Sequence, residues 1–153
     1  MLTAEDILKT KEQEIIYVTP EQTIADALKV MLDNQIGAIL VKDGDNFVGI
    51  WTERDLMKNV VTEGFYSKTS KIKDYMVTDL KTTPSSATIY ELIDICLGQR
   101  HRHLLIEKEG EIIGVLSGGD INKAQLIEKS KELDKLNKIV DWDYYENWKW
   151  KNK

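Results

Sequence analysis

Gly49-Ile50-Trp51-Thr52-Glu53-Arg54-Asp55 returns 65 residues later as Gly114-Val115-Leu116-Ser117-Gly118-Gly119-Asp120. At the same shift Thr23-Ile24 meets Thr88-Ile89, and Val30-Met31-Leu32 meets Ile95-Cys96-Leu97. Ile39-Leu40-Val41 meets Leu104-Leu105-Ile106, and Phe47-Val48 meets Ile112-Ile113. Thr19-Pro20 and Thr83-Pro84 match one residue out of step. Agreement over about 40 positions marks an internal duplication.

Each copy has the same layout. An apolar stretch (Ile15 to Val18; Leu80 to Thr82) leads through Thr-Pro into a helix. The pattern predicts one helix from Glu21 to Asp33, with Ile24, Ala27, Leu28, Met31 and Leu32 at helical spacing. Its counterpart runs from Thr88 to Gln99, with Ile89, Leu92, Ile93, Cys96 and Leu97. Two short apolar runs then flank turn residues, Asp43-Gly44-Asp45 or Glu107 to Gly110, and read as hairpins. A helix follows from Thr52 or Ser117. The order strand, helix, strand, strand, helix occurs twice, with a polar segment from Thr62 to Lys71 between. A single unit of this size is marginal, so the two should pair as one pseudo-symmetric α+β domain.

Composition narrows the class without naming a function. With 153 residues, 42% hydrophobic and 31% charged, the chain is an ordinary globular one rather than disordered. No apolar run approaches the roughly 20 residues of a membrane span, and no basic segment precedes an apolar one at the N-terminus. The net charge of −5 argues against a nucleic-acid surface. One cysteine excludes an internal disulfide framework and is consistent with a cytoplasmic, reducing location.

The repeated G-x-x-[ST]-x-x-D joins a strand to a helix. A hydroxyl followed three residues later by an acid is a capping box, a purely structural device. The same geometry serves a ligand. A helix N-terminus favours phosphate, the hydroxyl of Thr52 or Ser117 adds a hydrogen bond, and the ionised Asp55 or Asp120 suits the two hydroxyls of a ribose. Two copies describe two nucleotide sites.

On these residues the chain resembles a CBS-domain pair, the Bateman module named after cystathionine β-synthase. The likeness spans residues 4 to 127. It places motif 1 at 4–62, a linker at 63–71, motif 2 at 72–127, and a C-terminal extension with an aromatic tail at 128–153. Ile36-Gly37-Ala38 with Gly49 to Asp55, and Arg102-His103-Leu104 with Ser117 to Asp120, resemble stand-alone bacterial two-motif proteins. Leu105 stands where relatives usually have proline. Asp6-Ile7-Leu8 and Asp74-Tyr75-Met76 resemble the segment that opens each motif, and four extra residues lie between Leu8 and Thr19. The resemblance implies an adenosine ligand (AMP, ADP, ATP, NAD or S-adenosylmethionine), its ribose held by the motif aspartates. It also implies a disc-shaped homodimer.

Arg100-His101-Arg102-His103 precedes the second strand of the second copy. In the family, basic residues here often hold the ligand phosphate. The matching Asn34-Gln35-Ile36-Gly37 carries no positive charge, so the two sites should be unequal. Phosphate-bearing ligands should prefer the site that Arg102 and His103 reach. Arg54 is a further candidate phosphate contact at the first site. Two histidines cannot complete a metal site, and Cys96 lies on an apolar helix face, as an inert core residue would. Neither a P-loop, a G-x-G-x-x-G nor a nucleophile elbow occurs, so no catalysis is expected.

The last helix should continue to Val140, with Leu126, Leu133 and Val140 every seven residues. Three of the four tryptophans follow between Trp142 and Trp150. Such rings need a surface to bury against, and a homodimer mate is the favoured one. The expected function is a regulatory adenine-nucleotide module without catalysis. The alternatives are an interaction module that docks an unidentified protein through its tail with no nucleotide, and a fragment detached from an enzyme or transporter.

Overall fold

The hairpins form as the paired apolar runs predict, because each turn has the residue it needs. The structure, a computed structural model, describes the backbone of residues 1–151 and the side chains of residues 1–138. Strands β2 (Ala38–Asp43) and β3 (Asn46–Thr52) meet at Gly44, whose φ of 61° few residues other than glycine accept. Strands β5 (His103–Lys108) and β6 (Glu111–Ser117) meet at Glu109 and Gly110, both left-handed, in the manner of a type I′ turn. A short strand runs parallel beside each hairpin, β1 (Tyr17–Val18) against β2 and β4 (Thr82–Pro84) against β5. Two three-stranded sheets result, in the orders β1-β2-β3 and β4-β5-β6. Both hairpins shift register at the same place, after Val41 and after Ile106.

Helices α2 (Ile24–Asn34), α3 (Glu53–Val60), α4 (Ile89–Gln99) and α5 (Gly118–Lys151) complete the duplicated pattern. The first helix of each copy starts later than the apolar spacing predicts, at Ile24 and Ile89. Thr23 and Thr88 take the extended N-cap conformation and close capping boxes with Asp26 and Glu91. Leu32 and Leu97 also depart from expectation. They are 76% and 75% exposed, because the buried stripe of α2 is Ile24, Ala27 and Met31, and Leu32 falls on its flank.

Each copy opens on an element that packs on the other copy. Helix α1 (Ala4–Lys11) places Ala4 and Ile7 in a core with Ile89, Leu92, Leu104, Ile106, Leu116 and Ile121. The single 3-10 turn Ile72–Asp74 places Ile72 in the other core, with Val18, Ile24, Ile39, Val41 and Trp51. Backbone pairing follows the same exchange, Thr3 bridging Thr88 and Lys71 bridging Thr23. The intervening polar segment is equally engaged. The carbonyls of Ser67 and Ser70 accept from Ala25 and Ile24, at the start of α2.

Two glycines make the exchange possible. A Cβ on Gly49 of β3 would overlap the Met76 side chain, and one on Gly114 of β6 would lie 2.5 Å from a Leu8 methyl. Leu8 and Met76 hold equivalent places in the two openers, so the lock is built twice. It sets the openers against the strands that end in the repeated motif.

Candidate functional site

Both motifs end a strand, cap a helix and face a cleft. At the start of α3, Asp55 Oδ2 accepts from the Thr52 N–H at 3.0 Å and from its hydroxyl at 3.1 Å, while the Asp55 N–H donates to Thr52 Oγ1 at 3.3 Å. At the start of α5, Asp120 Oδ2 accepts from the Ser117 N–H at 2.8 Å, and the Asp120 N–H donates to Ser117 Oγ at 3.1 Å. Capping does not single these two out. Thr3 with Asp6, Thr23 with Asp26 and Thr88 with Glu91 form the same box on α1, α2 and α4. What distinguishes the two motifs is the space in front of them.

The helix N-termini offer a phosphate less than the sequence implies. The Glu53 N–H donates to the Gly37 carbonyl at 3.0 Å, and the Gly118 N–H donates to the Arg102 carbonyl at 2.8 Å. With the Asp55 and Asp120 N–H groups also engaged, only Arg54 and Gly119 keep first-turn N–H groups without a partner among the described residues. Side-chain cations must supply the rest of any phosphate site.

The first cleft has a volume of about 400 Å³ and contains Thr52, Arg54 and Asp55 together with Arg100 to His103. The basic loop therefore crosses the repeat boundary. It precedes β5 of the second copy but faces the motif of the first. Arg100 makes the crossing, capping α4 with a left-handed φ of 55° that turns the chain back toward β5. Lys58 and Lys81 also line the cleft, giving five fixed cations against the carboxylates of Glu53, Asp55 and Asp79. Ile50, Val77, Leu80 and Leu105 supply an apolar wall. Lys58 recurs at the repeat shift as Lys123 but lies beyond the seven-residue motif, and Lys81 meets Ile16 at that shift, so a reading confined to the motif names neither.

The second cleft is smaller, about 210 Å³, and contains Ser117 and Asp120. Facing them are the neutral Gln35, Ile36 and Gly37; among the described residues Lys11 is the cleft's one fixed cation, and Glu14 adds a second carboxylate. Lys11 Nζ lies 2.9 Å from Asp120 Oδ2 and 3.1 Å from the Val115 carbonyl. Burial pushes the Asp120 carboxyl up, but the Ser117 N–H and the Lys11 ammonium outweigh it and hold it below the usual range.

His103 lines both clefts, as do Gly37 and Ile50. A Cβ on Gly37 would sit 3.2 Å from Glu53 Oε2 and 3.3 Å from His103 Nε2, so these side chains close over that glycine. Burial lowers the imidazole pKa, and the Glu53 carboxylate offsets part of the effect. Folding therefore favours the neutral imidazole relative to the unfolded chain.

The family model for the CBS domain matches residues 4–62 and 72–127. The chain belongs to the CBS-domain family. Among relatives of this CBS pair, the mitochondrial CBS domain-containing protein CBSX3 of Arabidopsis thaliana is 30% identical, over 93% of this chain and 73% of its own. A CBS-domain containing protein from Agrobacterium tumefaciens superposes with a TM-score of 0.75 at 32% identity, covering 81% of this chain and 99% of that one. The fold is also that of CBSX2, solved in complex with AMP, with a TM-score of 0.66 at 20% identity and coverage of 84% and 99%. The chain is thus a two-repeat α+β protein whose neighbours are stand-alone CBS-domain proteins. Among the described residues, no helix is long and apolar enough to cross a membrane, and no three His, Cys, Asp or Glu side chains gather as a metal site.

Proposed function

We propose that this CBS pair is a non-catalytic regulatory module that binds a phosphate-bearing adenosine compound in the cleft of Thr52 and Asp55. The observation that carries the reading is the meeting of three features in one cleft. Asp55 uses only Oδ2 in its capping box, and among the described residues its other oxygen accepts no bond, which leaves it for a ribose hydroxyl. Arg54, Lys58, Lys81, Arg100 and Arg102 exceed the facing carboxylates by two charges, the complement of a phosphate monoester near neutral pH. The wall of Ile50, Val77, Leu80 and Leu105 suits a purine face. CBSX2, a protein of the same fold, holds AMP.

AMP is the first ligand to try; ADP, ATP, NAD and S-adenosylmethionine share the adenosine but differ in charge. Binding would act by favouring one arrangement of the two motifs or of two subunits. Calorimetric titration of AMP and adenosine separates the roles. Asp55→Ala should cost both ligands about 1.5–3 kcal/mol, the worth of hydrogen bonds to a charged group. Arg102→Ala should weaken AMP by a similar amount and leave adenosine nearly unchanged. Added salt should weaken AMP alone. Equal losses for both ligands in Arg102→Ala would remove the phosphate assignment. AMP binding indifferent to Asp55→Ala would return Thr52 and Asp55 to capping alone.

A further inference from the structure

Beyond the basic loop, the pseudo-symmetry of the two clefts also breaks in the openers. Aligning the openers on Leu8 and Met76 sets Lys11 against Asp79. Asp79 lines the first cleft and adds a carboxylate to the one Asp55 brings. Lys11 lines the second cleft and pairs directly with Asp120.

The backbone around them differs in step. In the first copy Val77 bridges Ile50, its N–H donating to the Ile50 carbonyl at 2.8 Å. Val115 corresponds to Ile50, and its carbonyl instead accepts from Lys11 Nζ at 3.1 Å. The cause is local. The first opener has four extra residues before its Thr-Pro, and it forms the eight-residue helix α1 where the second forms one 3-10 turn. The last turn of α1 delivers the lysine to the cleft.

From this geometry we infer that Lys11 is an internal occupant of the second cleft, neutralising Asp120 and making the protein a one-site nucleotide binder. The inference rests on the nucleotide reading given above for the first cleft. The side chains of Lys11 and Asp120 are only about one-quarter exposed, so their pairing is little screened by solvent. A ribose diol seeking Asp120 must compete with an ammonium already 2.9 Å away. The remaining space, about 210 Å³, lies below the usual range of about 300–1,000 Å³ for small-molecule pockets, and the first cleft lies within it. Lys11 is therefore the residue that decides how many ligands a chain holds.

The test is calorimetric stoichiometry with adenosine on the full chain, because removing Lys11 also removes the cation a phosphate would need in the second cleft. The wild type should bind one adenosine per chain, and Lys11→Met should bind two, the second at Asp120. Lys11→Gln, which keeps a donor for the Val115 carbonyl but no charge, should also bind two and covers any loss of fold in the methionine variant. With Lys11 in place, Asp120→Ala should leave the single AMP affinity within about twofold of wild type. Two sites in the wild type, one site in the folded lysine variants, or a tenfold loss in Asp120→Ala would each overturn the inference. The two stoichiometric outcomes leave the first cleft's assignment standing, whereas a tenfold loss in Asp120→Ala, which would seat the single AMP in the second cleft, or no AMP binding by the wild type would overturn both.

Discussion

Trp51 and Leu116 hold equivalent positions, both fully buried, yet only Trp51 has a polar atom to satisfy. Its indole N–H donates to Asn59 Oδ1 at 2.8 Å, and the residue equivalent to Asn59 in the other copy is the buried Ala124. The two positions differ together between the copies, tryptophan with asparagine and leucine with alanine. Because Asn59 lies on α3, this bond ties the helix that carries Asp55 to the strand before it. Asn59→Ala should therefore cost about 1–3 kcal/mol, the penalty for stranding a buried donor, seen as a lower midpoint in denaturant. His103 gives the residue-scale pH dependence. Its folded pKa lies below the unfolded value, so the stability it contributes is present above about 6.5 and is lost as pH falls through the folded value. The groups around it are Glu53, Lys11, Asp120 and Arg102. A phosphate in the first cleft would favour the imidazolium. The imidazole titration followed by NMR should therefore move upward on adding AMP and stay unmoved on adding adenosine.

At the scale of elements, the openers hold the two copies together. Gly114→Ala would drive a methyl into Leu8, and overpacking of this kind typically costs about 1–3 kcal/mol. Leu8→Ala should relieve most of that cost when combined with Gly114→Ala, and a double-mutant cycle in denaturant measures the coupling. Additive losses would mean that the contact is not what reserves position 114 for glycine. The hairpins, the motif helices and the equivalence of Thr52 with Ser117 were legible because repetition and turn chemistry are local signals. The exchange was not. A duplication shows which segments correspond, but Asp6-Ile7-Leu8 and Asp74-Tyr75-Met76 carry no mark of the copy on which they pack. For the same reason sequence named Arg102 and His103 as ligand residues without saying that they face Asp55 across the repeat. Lys11 was hidden differently: its partner is 109 positions away and its helix exists in only one copy.

For the whole molecule the open question is what covers its apolar surface. Leu32 and Leu97, at equivalent positions in α2 and α4, are 76% and 75% exposed. Val61, just after α3, and its counterpart Leu126 in α5 are 85% and 68% exposed. A partner made for one copy only would not require apolar side chains at both members of each pair. A second molecule with the same pseudo-symmetry would, so a homodimer is the expected assembly. The backbone of α5 runs from Gly118 to Lys151, 34 residues or about 51 Å. Residues 131–138 are exposed on every side, and the aromatic side chains from Trp142 to Trp150 lie outside the described side chains. A helical stretch like 131–138, whose side chains bury nothing in their own module, is marginal in water unless another surface packs on it. Light scattering across dilution should therefore give twice the chain mass for the wild type. Leu32→Glu combined with Leu97→Glu should shift the protein toward monomer while circular dichroism shows the fold intact. Deleting residues 141–153 should raise the concentration at which the dimer forms. A truncated dimer as tight as the intact one would leave the module faces as the interface and assign the tail to a different protein, whereas a wild type that stays monomeric at high concentration would remove the dimer altogether.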